Sequence, residues 1–354
     1  MFGIVVLVFS SLILLATALA QVPGFHWTIR VCDFPRVQFA VAGLIALVLA
    51  QFVGEPCRLA ASCVAGLAVF WQMWHVLPYT PFWPSQVKSF KGTPDPGNTV
   101  RLLISNVLTP NRNSEALISQ IHTHSPDIVL TLESDDWWQE KLDEALLQDW
   151  PHCVRIPLDN LYGMHMYSRL PLGDPQIKWL IQDDIPSIHC WLTLGLGRVR
   201  LHAVHPRPPA PAESTRSLWR DGELLLVGKD IYDAPGPTLV FGDLNDVAWS
   251  RSTRTFCRLS GMLDPRRGRG MYSTFNAFHR LLRWPLDHVF VSEHFELKSM
   301  QRLKPIGSDH FPILAELVFQ PGAASKQDNP EASQDEWDEA QETIRQAKQQ
   351  SQKE

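Results

Sequence analysis

Polar side chains able to do chemistry recur in this 354-residue chain where apolar runs stop. "LLISN" ends on Asn106, "IVLTLE" on Glu133, "LHAVH" on His205 and "VFGDLN" on Asp243 and Asn245, while "IGSDH" sets Asp309 and His310 just ahead of another apolar run. Each has an ordinary reading: Asn106 as a turn residue, Glu133 and Asp243 as helix caps, His205 before Pro206 as a strand terminus. Together, an amide, histidines and carboxylates on separate segments match the needs of a hard cation and a phosphate. Magnesium takes one or two carboxylates plus substrate phosphate oxygens. A histidine and an amide can hold the remaining phosphate oxygens, and a carboxylate can take a proton from water.

Other chemistry is less well served. There is no GxSxG and no GxxxxGK[ST], which argues against serine-hydrolase and P-loop readings. His122 and His124 fall on a polar helix face, and His202 points to the opposite face of its strand from His205, so no zinc pair is expected there. Trp137 and Trp138 read as helix packing in preference to a base-stacking platform. Six cysteines, Cys32, Cys57, Cys63, Cys153, Cys190 and Cys257, show no CxxC pair and do not decide the redox compartment.

Rigid elements must carry these side chains, and the pattern from 100 to 320 is α/β. "VRLLISNV", "DIVLTLE", "YGMHMYS", "VRLHAVH", "PTLVFGD", "LDHVFVS" and "FPILAEL" read as strands, "SEALISQIHTHS" as a helix capped by Ser114, and "AESTRSLWRDGELLLVGKDI" as a helix between two strands. Ligands of open α/β sheets bind at strand ends, so polar residues recurring there are what an active site produces.

The ordered set "SNV", "DIVLTLE", "GMHMYSRLPL", "HPRPP", "GDLND", "LDHVFVS" and "GSDHFP", across residues 101 to 314, resembles the endonuclease/exonuclease/phosphatase superfamily of metal-dependent phosphodiesterases with a DNase I-like fold. The resemblance covers the whole soluble domain and nothing before residue 95 or after 320. It implies an α/β fold, a four-layer α/β/β/α sandwich, and hydrolysis of a phosphate ester by in-line attack of water with Mg²⁺ or Mn²⁺. By the same resemblance Glu133 is the principal metal ligand, with Leu132 where the family has a glutamine. Asn106 lies beside the metal, and Asp309 assists on that side. Asp243 orients or deprotonates the water, while Asn245 and His205 contact the phosphate. Asp287 pairs with His310, fixing its tautomer and keeping it protonated.

Substrate is less determined. Arg266, Arg267 and Arg269 in "DPRRGRG" and Arg280 and Arg283 in "HRLLR" are expected to line a groove for a nucleic-acid backbone, with a solvated loop as the alternative. The leading expectation is a membrane-anchored nuclease. A phosphatase or phospholipase-type headgroup hydrolase using the same site is the alternative, and a catalytically lapsed binding module a second one. No pattern points to a protein partner.

Composition supplies the membrane part: apolar residues make up 45% of the chain and charged residues only 19%, at net charge −5. The apolar excess lies at the front, in "FGIVVLVFSSLILLATALA", "VQFAVAGLIALVLAQFV" and "LAASCVAGLAVFWQMWHVL". Three transmembrane helices are expected within residues 1–78, giving a multi-pass membrane protein whose bilayer is a partner. "ALAQ" resembles a signal-peptidase site, but the basic n-region is missing, which favours an uncleaved span. Trp71, Trp74, Tyr79, Phe82 and Trp83 read as an interfacial belt. The side of the membrane that the catalytic domain faces stays open. Residues 79–99 read as a Pro-rich, stiff connector, and 321–354 as a polar tail, disordered or a solvated helix with nothing to bury.

Overall fold

In a computed structural model that describes residues 1–22, 24–211 and 213–353, the alternating apolar segments after residue 98 become strands. Pro23, the Ala212 of the expected "AESTRS" helix start, and Glu354 of the tail lie outside the described residues. The strands are β1 (Thr99–Asn106), β2 (Ile128–Leu132), β3 (His152–Ile156), β4 (Met164–Ser168), β5 (Leu172–Lys178), β6 (Ser187–Leu194), β7 (Gly197–Ala203), β8 (Thr238–Asp243), β9 (Asp287–Val291), β10 (Phe295–Arg302) and β11 (Ile313–Phe319). They form a six-stranded sheet in the order β10-β11-β1-β2-β4-β3 and a five-stranded sheet in the order β5-β6-β7-β8-β9.

Period-two alternation decides which face each side chain meets. Leu102 and Ile104 of β1 join Leu130, Leu201, Phe241 and Val289 in the core between the sheets, whereas Leu103 faces outward to a second cluster with Leu117, Ile121, Trp138 and Leu142. Each such large side chain taken out of water stabilises the fold by roughly 1.5–3 kcal/mol. The helices are α1 (Phe2–Leu19), α2 (Trp27–Arg30), α3 (Arg36–Ala50), α4 (Cys57–Val76), α5 (Ser114–His124), α6 (Asp136–Leu146), α7 (Leu218–Asp233), α8 (Arg251–Ser260) and α9 (Gln334–Ser351). α5 and α6 cover the first sheet, while α7 and α8 cover the second through Leu224, Val227 and Phe256. That is the expected four-layer sandwich. The N-cap of α5 is Asn113, one residue before the expected Ser114, and its side chain makes no cap bond.

Two expectations are corrected, one at each end of the chain. Two helices, Phe2–Leu19 and the α4 segment Cys57–Tyr79, are long and apolar enough to cross a membrane. The expected third span is the 15-residue α3, short of the roughly 20 residues a crossing helix needs. It reaches that length only together with Trp27–Asp33, across a bend of 68°. α3 still packs with α1 and α4 around Ile13, Ala46, Ala65 and Ala68.

The Pro-rich connector is extended, but it is not free. Val87 lies in the inter-sheet core, Tyr79 Oη donates to the Ala248 carbonyl at 2.6 Å, and Phe90 N–H donates to the Leu297 carbonyl at 2.9 Å. The polar tail is not free either. α9 starts on a Ser333–Glu336 capping box and lays Ala340, Ile344 and Ala347 against Leu225, Leu259, Leu218 and Trp219. Half of its buried stripe is alanine, which carries little signal in a segment otherwise rich in Gln and Glu.

Candidate active site

The two parallel strand pairs, β1 with β2 and β7 with β8, sit in the middle of their sheets. Their carboxyl ends bring Asn106, Glu133, His205 and Asp243 together. Asn106 Nδ2 donates to Glu133 Oε1 at 2.7 Å and to Asp243 Oδ2 at 3.1 Å, so one amide ties the edges of both sheets. β9 runs antiparallel to β8 with Asp287 opposite Asp243. Asp287 Oδ2 is 2.8 Å from His310 Nδ1, and His310 Nε2 is 3.5 Å from Asp243 Oδ2.

Local backbone conformation makes these approaches possible. Gly242, at φ +143°, lacks the Cβ that would stand 2.0 Å from the Val204 carbonyl oxygen, so β8 lies flush against the segment leading to His205. Glu133 (φ +58°) and Asn245 (φ +51°) both adopt left-handed conformations that non-glycine residues rarely take. For Glu133 this strained turn aims the carboxylate back into the crevice. Asn245 is fixed by its N–H on Asp243 Oδ1 (2.9 Å), by Nδ2 on the Pro206 carbonyl (3.1 Å), and by its own carbonyl, which accepts from Arg220 Nη1 (2.9 Å).

Burial and charge separate the roles of the ionisable groups. Burial pushes the Glu133 carboxyl up to about 7, with the Asn106 hydrogen bond and the His310 charge opposing it. Burial alone would lower His310, but the negative charges of Asp287 and Asp243 outweigh it and raise the imidazole to about 10, keeping it protonated at neutral pH. Burial lowers His205 to about 4 against the attraction of Asp243, which leaves it neutral. The site therefore holds one cationic and one neutral histidine.

Whether a divalent cation suits this crevice is answered by its unmet oxygens. Glu133 Oε2 and Asp287 Oδ1 are buried and have no hydrogen-bond partner among the described residues. Ligand atoms of Asp243, Asp287 and His310 also lie within 4.8 Å of one another, a spacing compatible with an ion. That trio is the poorer cradle, because a protonated His310 repels a cation and already donates to Asp287. Glu133 fits better: an orphaned oxygen, a carboxyl raised by burial, and Asp243 and Asp309 adding negative charge nearby. Asp309 makes no side-chain hydrogen bond to Glu133 or Asn106; its Oδ1 accepts from Ser308 Oγ at 3.4 Å.

The arginine groove expected from the sequence is not assembled. Arg266 is fully buried, bonded to Asp264, to His288 Nδ1 and to the Asp287 carbonyl, so it braces the strand behind the site. Arg269 is spent on the connector, donating to the Val87 carbonyl and Ser89 Oγ, both at 2.7 Å. Arg267 is half-buried with its Nε enclosed. Only Arg280 is exposed, while Arg283 is half-buried with its guanidinium 4.9 Å from the Phe311 ring centroid. Arg266 and Arg269 are thus spent on partners within the fold, among them His288, Val87 and Ser89 from segments distant in sequence.

Other neighbours of the site carry no signature in the sequence. Tyr162 packs its ring 5.2 Å from His205 and donates from Oη to Glu213 Oε2 at 2.9 Å. Arg220 on α7 bonds Asp221 and Asp246 as well as the Asn245 carbonyl. His202, as expected, faces away from the site, with its Nδ1 2.7 Å from His189 Nδ1.

Comparison with known proteins agrees with this fold. The model of the endonuclease/exonuclease/phosphatase family matches residues 103–310, more than half of the chain. An endonuclease/exonuclease/phosphatase from Beutenbergia cavernae DSM 12333 is similar in structure at TM-score 0.52 and 18% identity, covering 63% of this chain and 72% of that one. The human Nocturnin catalytic domain with bound sulfate anion gives 0.51 at 16%, over 64% and 97%. D. rerio TDP2 complexed with single strand DNA product gives 0.51 at 15%, over 62% and 98%. At these identities the structural likeness is one of fold. No curated protein matches the chain significantly. The chain belongs to the endonuclease/exonuclease/phosphatase family, whose members are metal-dependent hydrolases of phosphoric ester bonds.

Proposed function

We propose that this protein is a membrane-anchored phosphodiesterase that hydrolyses its substrate by in-line attack of water and depends on Mg²⁺ or Mn²⁺. The observation that carries the reading is the single amide of Asn106 joining Glu133 and Asp243 across the two sheets. In this reading Glu133 is the ion-binding carboxylate and Asp243, tied to it by that amide, the base. When bound at Glu133, with Asn106 and Asp309 alongside, the cation supplies Lewis-acid polarisation of the phosphoryl oxygen.

The residues of the chain do the rest. Asp243, held by Asn106 and the Asn245 N–H, orients a water and accepts its proton. Protonated His310, anchored through Nδ1 on Asp287, directs its Nε2–H at the phosphoryl oxygen, where negative charge grows. The Asn245 amide and neutral His205 donate to the same phosphate. Donors fixed beforehand by burial lower the barrier because they need no reorganisation as the charge develops.

Membrane anchoring rests on the two apolar helices, whose outward residues, such as Ile4, Leu12, Leu59 and Phe70, have no cover within the chain. A lapsed binding module is the opposing reading. It offers no reason for the orphaned Glu133 oxygen or for a buried Asp–His pair aimed at the same crevice. Full-length protein in detergent micelles with bis-p-nitrophenyl phosphate decides between them. Turnover should require Mg²⁺ or Mn²⁺, stop on chelation, and fall below about one per cent in Glu133→Ala and His310→Ala. Metal-independent turnover, or none in the unsubstituted protein with either ion, refutes the proposal.

A further inference from the structure

Residues 276–283, "NAFHRLLR", form a loop closed at its base by pairing of Phe275 with Trp284. Its tip exposes Phe278 (62%), Leu281 (84%) and Leu282 (45%), and the intervening His279 and Arg280 are exposed as well. A soluble surface rarely concentrates three large apolar side chains on one short loop without a partner for them.

The base of this loop belongs to the active site. Phe275 packs its ring 5.0 Å from His310, and Ala277 N–H donates to the Asp309 carbonyl at 2.6 Å. Its tip belongs to the helical bundle's end. Gln38 Nε2, in the first turn of α3, donates to the Leu281 carbonyl at 2.7 Å. Phe34 and Val37, just before and at that first turn, pack with Phe275 and Trp284 under the loop. Beyond Gln38, α3 turns Val41, Leu44, Ile45 and Val48 outward, so the exposed apolar surface of the loop continues onto the exposed apolar surface of the bundle.

From this continuity we infer that the 276–283 loop is a membrane-docking lip: Phe278, Leu281 and Leu282 enter the headgroup boundary of the bilayer that holds the helices, and the active site opens along that surface to phosphate esters carried by lipids. Arg280 and Arg283 bracket Leu281 and Leu282, the mixture of basic and apolar side chains that binds anionic interfaces. Arg283 and Arg302 both lie over Phe311, the residue after His310, at 4.9 and 4.4 Å, which gathers positive charge where the lip meets the site. A polyanionic strand would want such charge spread along a groove. Here it is gathered beside one apolar tip. The inference rests on the phosphodiesterase reading for its substrate and on the bundle entering a bilayer for its geometry.

The test uses full-length protein reconstituted into vesicles of phosphatidylcholine and phosphatidylglycerol, with two readouts. For docking, a polarity-sensitive fluorophore on Leu281→Cys, corrected for the same label on unsubstituted protein, should be quenched by spin labels placed shallow in the acyl chains; no quenching overturns the lip whether or not the protein is active. For substrate, the Phe278→Asp/Leu281→Asp variant should release headgroup phosphate from vesicle lipid at least tenfold more slowly. It should hydrolyse bis-p-nitrophenyl phosphate within twofold of the unsubstituted rate. Equal rates on lipid, or cleavage of single-stranded DNA but not of lipid by the unsubstituted protein, overturns the assigned substrate class. Failure on every ester with metal present removes the phosphodiesterase reading and leaves the quenching result to judge the lip.

Discussion

His310 donates through Nδ1 to Asp287 Oδ2 over 2.8 Å, in a pair from which solvent is excluded. The carboxylate fixes the tautomer and, with Asp243, holds the imidazole charged. Asp287→Asn keeps the shape and removes the charge, so kcat on a soluble phosphodiester should fall about 100-fold or more, within the range for a positioned proton donor. KM should change far less. A loss confined to KM would show that the pair binds ground-state substrate only.

Metal should stabilise the protein as well as activate it. An ion bound to the folded chain alone adds about 2.7 kcal/mol at a hundredfold excess over Kd. The thermal midpoint of the unsubstituted protein should therefore rise with Mg²⁺ or Mn²⁺, and Glu133→Ala should erase the rise. A midpoint equally responsive in both proteins would move the ion away from Glu133.

Glu223, on the buried side of α7, has an oxygen without a hydrogen-bond partner among the described residues, and burial pushes its carboxyl up to about 8 from 4.5. The folded chain then keeps a proton that the unfolded chain releases between those values. The contribution of Glu223 to stability is greatest below about pH 4.5 and declines as pH rises toward 8. Glu223→Gln should lack this decline, gaining roughly 2–4 kcal/mol on the unsubstituted protein between pH 5 and pH 8. Parallel stability curves for the two proteins would refute it.

Gly242→Ala should be among the most damaging small substitutions, because its methyl group meets the Val204 carbonyl at 2.0 Å in a backbone conformation that alanine disfavours. A loss of roughly 3 kcal/mol or more is expected, against a change within about 0.5 kcal/mol for Gly322→Ala, where nothing lies within 4 Å. Chemical denaturation of the two variants measures the contrast.

Removal of residues 333–354 should uncover Leu225, Leu259 and Trp219, which α9 covers through Ala340, Ile344 and Ala347. The apolar surface exposed corresponds to roughly 2–4 kcal/mol. An unchanged denaturation midpoint would show that the helix contributes no net stability.

The sequence by itself determined the strands and the polar residues at their ends, and the family resemblance carried by its motifs implied the sandwich and the roles proposed for those residues. Strand alternation has a period of two whatever the neighbours are, and Asn106, Glu133, Asp243 and His310 each stop or precede an apolar run because crevices form at strand ends. Tertiary structure alone decided the fate of the arginines. Arg266 and Arg269 look as free in the chain as Arg280, and besides the neighbouring Asp264 and Pro265 it is His288, Val87 and Ser89, from segments about 20 to 180 residues away, that make them braces. It also decided that alanines of the polar tail find a helix to cover, and that a loop at the active site touches the first turn of α3. Period and composition are local properties of the chain, whereas burial depends on which distant surface arrives, and that no single segment can encode.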